Sequence, residues 1–325
     1  MNKKVLITGG AGFVGFHLAT KLSREGEEVT IVDNFERPND DKELRNLLKK
    51  SNVNHKKLDL TKSESYNALP LDFYDDVYHM AAVNGTANFY NIPVKVLKVG
   101  ALSTIHLLDW AIKNTKKPHI IYTSSSETYA GTKQTMKENF PIPTPENVPL
   151  TVEDITNVRW SYGAGKMIGE SAFYAYRQEY GFDDFKIVRL HNIYGPRMGT
   201  EHVISQFIKR FKSGVRPFNI YGYTNTRSFC YIKDALLGLE VVRNNGILGD
   251  IYHIGNDDEE ISIEHLAKTL FDLSKEEYNF SMHEAPEGSV QRRCPDVSKI
   301  KSLGYKKNFS LAEGLIETIQ WYKDD

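Results

Sequence analysis

A glycine-rich turn near the start of the chain constrains the fold more than any other feature. The β-branched run Val5–Thr8 leads into glycine-rich residues 9–15, and a helical pattern then covers residues 14–25. A strand, a glycine turn and a helix N-terminus together form an anion site, because backbone N–H groups and the helix dipole point to one place. The pattern therefore predicts a pyrophosphate site, although the G-x-x-G-x-x-G spacing leaves a plain tight turn open. The residues predicted to line it are Gly9, Gly12, Phe13, Val14 and Gly15.

The first half of the chain alternates short β-branched runs with helical patterns. This alternation is typical of βαβ units, which build a parallel sheet covered by helices. Around Gly195 the rhythm changes to a loop-rich sequence. We predict an α/β fold, a Rossmann-type doubly wound parallel sheet over 1–190 with a return segment at about 229–255, and a smaller substrate domain over 191–325. The predicted strands are Val5–Thr8, Val29–Val32, Val77–His79, His119–Thr123 and Phe185–Leu190, and the helical patterns cover 14–25, 41–50, 94–114, 162–180, 267–273 and 311–322.

A carboxylate follows the second predicted strand. Asp33 stands directly after Val29–Val32 and 18 residues after Gly15. In a dinucleotide site, a carboxylate here accepts hydrogen bonds from the adenosine ribose and repels a 2′-phosphate, which favours NAD over NADP. A turn or helix-cap role for Asp33 stays open. Asp59 and Leu60, after the next strand, are predicted to meet the adenine, although Asp59 fits a plain helix N-cap nearly as well.

Charge and composition exclude several classes of function. The 41 basic and 42 acidic side chains give a formal net charge of −1, which disfavours a general polyanion binder. No apolar run approaches the ~20 residues that span a bilayer, and the first residues lack the apolar core of a signal peptide. We therefore expect a cytoplasmic protein in which Cys230 and Cys294 are free thiols. The ten histidines show no metal-ligand spacing, so no metal site is predicted.

A tyrosine and a lysine four residues apart begin a long helical pattern. Tyr162 and Lys166 would share one helix face, where an ammonium lowers the pKa of a phenol by stabilising the phenolate. Such a tyrosine can take a proton from a sugar hydroxyl near neutral pH. Ser125 and Glu127 follow another predicted strand, at the sheet edge where ligands bind in folds of this class. A chance surface pair remains the alternative for Tyr162 and Lys166 alone.

Taken together, the motifs resemble the extended short-chain dehydrogenase/reductase family, the nucleotide-sugar epimerases, dehydratases and decarboxylases. The resemblance runs in the family's order over nearly the whole chain. It implies NAD as the cofactor, a nucleotide-diphosphate sugar as the substrate and a homodimer, with no role for nucleic acid or membrane. The matching segments are 8–15, 33–34, 59–60, 79–82, 124–129, 162–166, 189–197, 226–229, 293–296 and 313–322.

The resemblance assigns roles to individual residues. Tyr162 resembles the general base, Lys166 its partner that also holds the nicotinamide ribose, and Ser125 the hydroxyl that orients the substrate 4-OH. Guanidinium groups suit phosphate oxygens, which agrees with the family's pairing of Arg227 and Arg293 on the diphosphate. Arg292 could replace Arg293 in that role. The resemblance adds Asn34, Ala81 and Ala82 to the cofactor site, and Ser126, Asn192 and Arg197 to the substrate site.

The class of reaction is decided by the step that comes after oxidation of the sugar at C4. Ser125-Ser126-Glu127 resembles the element of the decarboxylases and some dehydratases in which Glu acts as an acid or base near C5. A 4-keto group acidifies the C5–H bond, so a placed carboxylate could take that proton. We therefore expect chemistry at C5, of 4,6-dehydratase or uronate decarboxylase type, with a polar surface role for Glu127 as the alternative.

Competing functions remain. A 4-epimerase would only return the hydride to C4, and a catalytically silent NAD- or nucleotide-sugar-binding protein would use none of these groups. Segments 88–95 and 194–198 look most like UDP-glucuronate decarboxylases. The chain departs from the family at Gly100, Ala130 and Ala164-Gly165, which leaves the identity of the sugar open.

Overall fold

The computed structural model describes residues 2–36, 41–285 and 290–324. Within this part of the chain the residues cluster into two compact units. Unit 1 comprises 1–135, 150–189 and 242–252, and unit 2 comprises 136–149, 190–241 and 253–325. Residues 136–149, predicted to belong to the first domain, group with unit 2. The segment that returns to unit 1 covers 242–252, which is shorter than the predicted 229–255. Backbone hydrogen bonds explain the first difference, because Thr144 pairs with Cys294 and Asp296 within unit 2.

A seven-stranded sheet forms the centre of unit 1, in the order β11-β6-β5-β4-β1-β2-β3. The neighbouring pairs from β3 through β5 are parallel, as the alternating sequence pattern predicts. The doubly wound α/β fold class is thus confirmed. The strands are β1 (Lys4–Thr8), β2 (Glu28–Asp33), β3 (Val53–Lys57), β4 (Asp76–His79), β5 (His119–Ser125), β6 (Phe185–Leu190) and, further along the chain, β11 (Ile251–Ile254).

Helices follow the strands of this sheet, and most lie within a few residues of their predicted bounds. The second helix, Lys42–Leu47, lies within the predicted 41–50, and Asp41 caps it by accepting from the Leu44 N–H at 2.8 Å. Buried Val77, Ile120, Leu107 and Phe173 belong to one apolar core, each worth roughly 1.5–3 kcal/mol of burial. The helices are α1 (Phe13–Arg24), α2 (Lys42–Leu47), α3 (Thr86–Asn91), α4 (Pro93–Ala111), α5 (Ala130–Met136) and α6 (Ser161–Tyr180), with 3-10 turns at Ser63–Ala68, Ser126–Tyr129, Lys137–Asn139 and Val158–Trp160.

Unit 2 is built from short strands and amphipathic helices around an aromatic core. The rings of Phe218, Phe271 and Phe280 meet edge to face or tilted, with centroids 4.8–6.2 Å apart. Its strands are β7 (Ile193–Tyr194), β8 (Phe218–Tyr221), β9 (Thr226–Ser228), β10 (Cys230–Tyr231), β12 (Glu260–Ser262), β13 (Phe280–His283) and β14 (Arg292–Arg293). The remaining helices of the chain are α7 (Val203–Lys212), α8 (Ile232–Asn245), α9 (Ile263–Ser274), α10 (Ser298–Ser302) and α11 (Leu311–Asp324).

None of the helices in the described part of the chain is both long and apolar enough to cross a membrane. Cys230 and Cys294 are both buried free thiols, as predicted. The cytoplasmic location stays a prediction.

Candidate active site

The glycine-rich turn connects β1 to α1 as a tight bend. Gly9 has a φ of +69°, in the left-handed region that glycine adopts without strain. A Cβ at Gly15 would lie 2.3 Å from the Gly9 carbonyl oxygen, so only glycine lets the helix come this close. Gly12 is the N-cap of α1, and a Cβ there would meet only the Gly9 oxygen, at 3.2 Å. Phe13 and Val14 are the first residues of α1, where backbone N–H groups without a helical partner suit a pyrophosphate.

Asp33 ends β2 next to this turn. Its Oδ2 accepts from the Ala11 N–H at 3.1 Å, and its Oδ1 accepts from the Phe35 N–H at 2.9 Å. The carboxylate therefore makes the local turn that was one sequence interpretation and is also held against the glycine-rich turn. A carboxylate at this place suits the hydroxyls of an adenosine ribose. The residues present fit the adenosine half of NAD.

The other predicted cofactor residues lie at the ends of neighbouring strands. Ala81 follows β4, and its N–H donates to Thr8 Oγ1 at 3.3 Å. Asn34 and Asp59 both accept from a backbone N–H two residues further on. Burial acts to raise the pKa of Asp59, but hydrogen bonds from Thr61 outweigh this and lower it. Leu60 is buried in the core, and Ala82 packs beside the buried Phe89 and Tyr162.

The end of β5 presents the predicted serine–glutamate element. Ser125 is the last strand residue and caps the following 3-10 turn, its Oγ accepting from the Glu127 N–H at 3.2 Å. Ser126 is 6% exposed and begins that turn. The strand end therefore brings Ser125 and Glu127 to one sheet edge, as predicted.

Tyr162 and Lys166 lie in the first turns of α6, as the helical pattern predicts. Tyr162 is 7% exposed, and its ring stacks on Phe89 with centroids 5.1 Å apart. Lys166 is buried, and its Nζ donates to the Thr123 carbonyl oxygen at 2.7 Å. That bond fixes the ammonium to the strand that carries Ser125. The chance surface pair is excluded, because both side chains are buried.

The ammonium of Lys166 is under strong electrostatic control. Burial lowers the pKa of Lys166 to about 8, and the negative charge of Glu170 opposes that shift. His79 faces it as a neutral ring, because burial and then the Lys166 charge lower the pKa of His79 to about 3. Lys166 is thus mostly charged at neutral pH, where it can stabilise a phenolate.

An Arg–Glu pair that the sequence analysis missed supports this arrangement. Glu170 and Arg189 have side chains 6% and 3% exposed, joined by two hydrogen bonds of 2.6 and 2.9 Å. Ser124 donates to the same carboxylate at 2.5 Å, and Arg189 also contacts the Tyr129 hydroxyl. The sequence does contain a signal for Glu170: it follows Lys166 by four residues, as Lys166 follows Tyr162, so the three side chains share one helix face.

A second Arg–Glu pair lies before Tyr162. Arg159 Nη2 is 2.8 Å from Glu127 Oε2, with side chains 17% and 15% exposed. The guanidinium also lies over the rings of Phe89 and Trp160, 5.3 and 5.5 Å from their centroids. The sequence analysis gave Arg159 no role, although its place three residues before Tyr162 could have suggested one.

The helices α4 and α6 approach closely at two of the departures from the family pattern. A Cβ built on Gly100 would lie 3.2 Å from the Gly165 Cα. The two unusual glycines therefore face each other across one helix contact. The close approach of the two helices therefore explains why both positions are glycine.

In unit 2, backbone pairing brings together the two predicted phosphate-binding arginines. β14 runs parallel to β9, and Arg293 is the register partner of Arg227. The Arg227 guanidinium donates to the carbonyl oxygens of Thr226, Val290 and Gln291. Arg292, the alternative to Arg293, holds Glu260 through Nε and Nη2 instead. This pairing favours Arg293 for the phosphate role.

The other two predicted substrate residues of unit 2 differ in burial, since Asn192 is half-buried and Arg197 is buried. Asn192 has a φ of +45°, and its amide donates to the Ser228 carbonyl oxygen at 2.9 Å. Arg197 is only 1% exposed, so its guanidinium is enclosed by protein. Both assignments stay predictions. Among the described residues, no cluster of three or more His, Cys, Asp and Glu side chains could hold a metal ion.

Comparisons with known proteins agree with this geometry. Residues 5–255 match the NAD dependent epimerase/dehydratase family. A UDP-N-acetyl-alpha-D-glucosaminuronate decarboxylase of Bacillus cytotoxicus is 32% identical, over 100% of this chain and 99% of that protein. UDP-glucuronic acid decarboxylase 1 of Xenopus tropicalis is 31% identical, over 99% of this chain and 73% of that protein.

A solved structure is similar over the same length. A dTDP-glucose 4,6-dehydratase from Streptomyces venezuelae, with NAD and TYD bound, matches with a TM-score of 0.85 at 25% identity. The match covers 99% of this chain and 97% of that one.

Proposed function

Because the chain belongs to the NAD dependent epimerase/dehydratase family, we propose that it oxidises a nucleotide-linked uronic acid at C4 and then removes its carboxylate. The predicted family, and NAD as its cofactor, are confirmed. One observation carries the choice of reaction, the Glu127–Arg159 pair beside Tyr162. The Arg159 guanidinium and the Tyr162 ring both contact Phe89, which supports a carboxylate and a cation near the base that begins the chemistry.

Oxidation at C4 uses the residues at the start of α6. Tyr162 takes the proton of the sugar 4-OH, while Lys166 stabilises the phenolate and Ser125 orients the hydroxyl. Gly9, Gly12, Gly15 and Asp33 would hold NAD, which would supply reversible hydride transfer at C4. The hydrogen bond from Lys166 to the Thr123 carbonyl oxygen keeps the ammonium close to Tyr162 and Ser125 through both transfers.

The ketone at C4 makes the loss of carbon dioxide possible. A uronic acid carries its carboxylate on C5, so the 4-keto sugar is a β-keto acid. The bond from C5 to the carboxylate breaks, its electron pair enters an enolate over C5 and C4, and carbon dioxide leaves. A proton must then be added at C5. We assign Glu127, an ionised carboxylate in its pair with Arg159, to pass that proton from a water molecule to C5.

The diphosphate of the substrate is assigned to unit 2. Arg227 and Arg293 lie side by side in register, which supports their pairing on phosphate oxygens. Asn192 and Arg197 are the other proposed substrate residues of unit 2, and Ser126 is a proposed substrate residue of unit 1.

We also propose a homodimer formed through α4 and α6. Val94 and Leu97 on α4 and Ile168 on α6 are 66%, 39% and 42% exposed, which leaves apolar surface on both helices. Light scattering at micromolar concentration tests this, and a monomer would refute it.

The reaction is tested with the wild-type enzyme, NAD and a panel of nucleotide sugars read by mass spectrometry. We expect loss of carbon dioxide from UDP-glucuronate or an N-acetylated relative. Loss of water from a neutral sugar would indicate a 4,6-dehydratase, and conversion with no change of mass would indicate a 4-epimerase. Either result would replace the proposed reaction.

A further inference from the structure

Arg159 is fixed in position relative to the catalytic tyrosine. Its guanidinium lies over the Phe89 ring, and Tyr162 stacks on the same ring at an interplanar angle of 14°. The 3-10 turn Val158–Trp160, which carries Arg159, leads directly into α6. The cation is therefore held one turn before the group that acts on the sugar 4-OH.

The guanidinium of Arg159 is only partly used. Among the described residues, the bond from Nη2 to Glu127 is its only hydrogen bond. A guanidinium has five N–H donors in a rigid fork, so with Nη2 on Glu127 the Nη1 donors can serve a second acceptor. By contrast, Arg292 places both Nε and Nη2 on Glu260.

The chemistry at C5 requires a cation at this point. Glu127 is assigned to C5, so a carboxylate carried on C5 would bring a second negative charge towards it. Two carboxylates that share a site repel each other, and the repulsion weakens binding unless a positive charge lies between them. A neutral sugar with a hydroxymethyl group at C5 needs no such cation.

We propose that Arg159 binds the carboxylate of the substrate sugar through Nη1 while Nη2 holds Glu127, and so selects acidic over neutral nucleotide sugars. The inference rests on the proposed function and adds the residue that determines the substrate class. Because the fork can hold two carboxylates at once, substrate binding does not require Glu127 to leave its place.

The test measures binding in a Tyr162→Phe background, which prevents turnover. Titration calorimetry of the NAD-loaded protein compares UDP-glucuronate with UDP-glucose, which differ only at C6. We expect the parent to bind UDP-glucuronate more tightly. Adding Arg159→Gln should weaken the affinity for UDP-glucuronate by about 10- to 100-fold, the scale of a lost charge-assisted hydrogen bond. The affinity for UDP-glucose should change by less than about 2-fold.

Two further variants control the measurement. Arg177→Gln removes an exposed arginine in the last turn of α6 that pairs with Asp183, and it should leave both affinities unchanged. Arg159→Lys keeps the charge but loses the planar array of donors. It should therefore weaken the affinity for UDP-glucuronate but not for UDP-glucose, and by less than Arg159→Gln does. If the Gln variant does not fold, the Lys variant carries the test.

Several results would overturn the inference. They are equal affinity of the parent for the two sugars, no binding of either, an unchanged preference in the Arg159 variants, or an equal loss for both ligands. Decarboxylation is scored separately, from the product mass of the wild type. Carbon dioxide release with an unchanged preference in Arg159→Gln refutes the inference alone, whereas a lost preference without carbon dioxide release refutes the proposed reaction alone.

Discussion

Two Arg–Glu pairs flank the start of α6, and they differ in how completely their groups are used. In the Glu170–Arg189 pair, two guanidinium nitrogens hold one carboxylate, and Ser124 and Tyr129 contact the pair as well. In the Glu127–Arg159 pair, one nitrogen of the arginine contacts one oxygen of the glutamate. The first pair is almost inaccessible to water, and the second is partly exposed.

The difference separates a structural role from a chemical one. Buried charges are tolerated only when partners and hydrogen bonds compensate them, and the Glu170 carboxylate has those partners. A group that must receive substrate needs donors in reserve, and Arg159 keeps them. The same residue types therefore support the fold on one side of Tyr162 and face the reaction on the other.

The largest expected effect is on stability. Glu170→Ala leaves Arg189 as a buried, uncompensated charge and should lower the free energy of unfolding by about 3–5 kcal/mol. Glu127→Ala removes a partly exposed partner and should cost about 1 kcal/mol or less. Urea unfolding of both variants and the wild type measures the difference, and equal losses would remove the distinction between the two pairs.

A smaller effect concerns pH. The pKa of Lys166 is about 8 because burial lowers it and Glu170 partly restores it. About half of the Lys166 side chains are therefore charged at pH 8, and the charge is lost as the pH rises further. Glu170→Gln removes the restoring charge, so the pKa falls and less than half remain charged at pH 8.

The pH dependence of the sugar oxidation step detects this change. The alkaline limb of the rate of NADH formation should move to lower pH in Glu170→Gln. It should stay in place in Glu127→Gln, which serves as the matched control. An unmoved limb in Glu170→Gln would mean that Glu170 does not act on Lys166.

Local patterns were sufficient to predict most of the fold. The positions of β1, β2, β4, β5 and β6 follow from β-branched runs, and the glycine-rich turn follows from backbone requirements that only glycine meets. The sequence pattern assigned residues 136–149 to the first domain, whereas they group with unit 2. No local pattern indicates this, because the backbone partners of Thr144 lie some 150 residues further along the chain.

The site was predictable where spacing within one element decides it. Tyr162 and Lys166 are four residues apart on one helix face, and Ser125 and Glu127 lie at the end of the same strand. The partners of Glu170 and Glu127 were not predictable, because Arg189 lies on another strand and Arg159 comes 32 residues after Glu127. Such pairs depend on how the helices and strands pack. The burial of a side chain depends on the same packing, as for Arg197, which is 1% exposed.

The most direct test of the whole account is a single turnover of Glu127→Gln with NAD and UDP-glucuronate, followed by NADH absorbance and product mass. The substitution keeps the size of the side chain and removes its charge, and Tyr162, Lys166 and Ser125 are unchanged. We expect NADH to form at nearly the wild-type rate and to persist, with release of the final sugar slowed by about 10²–10⁴-fold, the scale of a lost acid–base group. Release of the decarboxylated sugar at nearly the wild-type rate, or interconversion of two nucleotide sugars of equal mass, would contradict a role for Glu127 at C5.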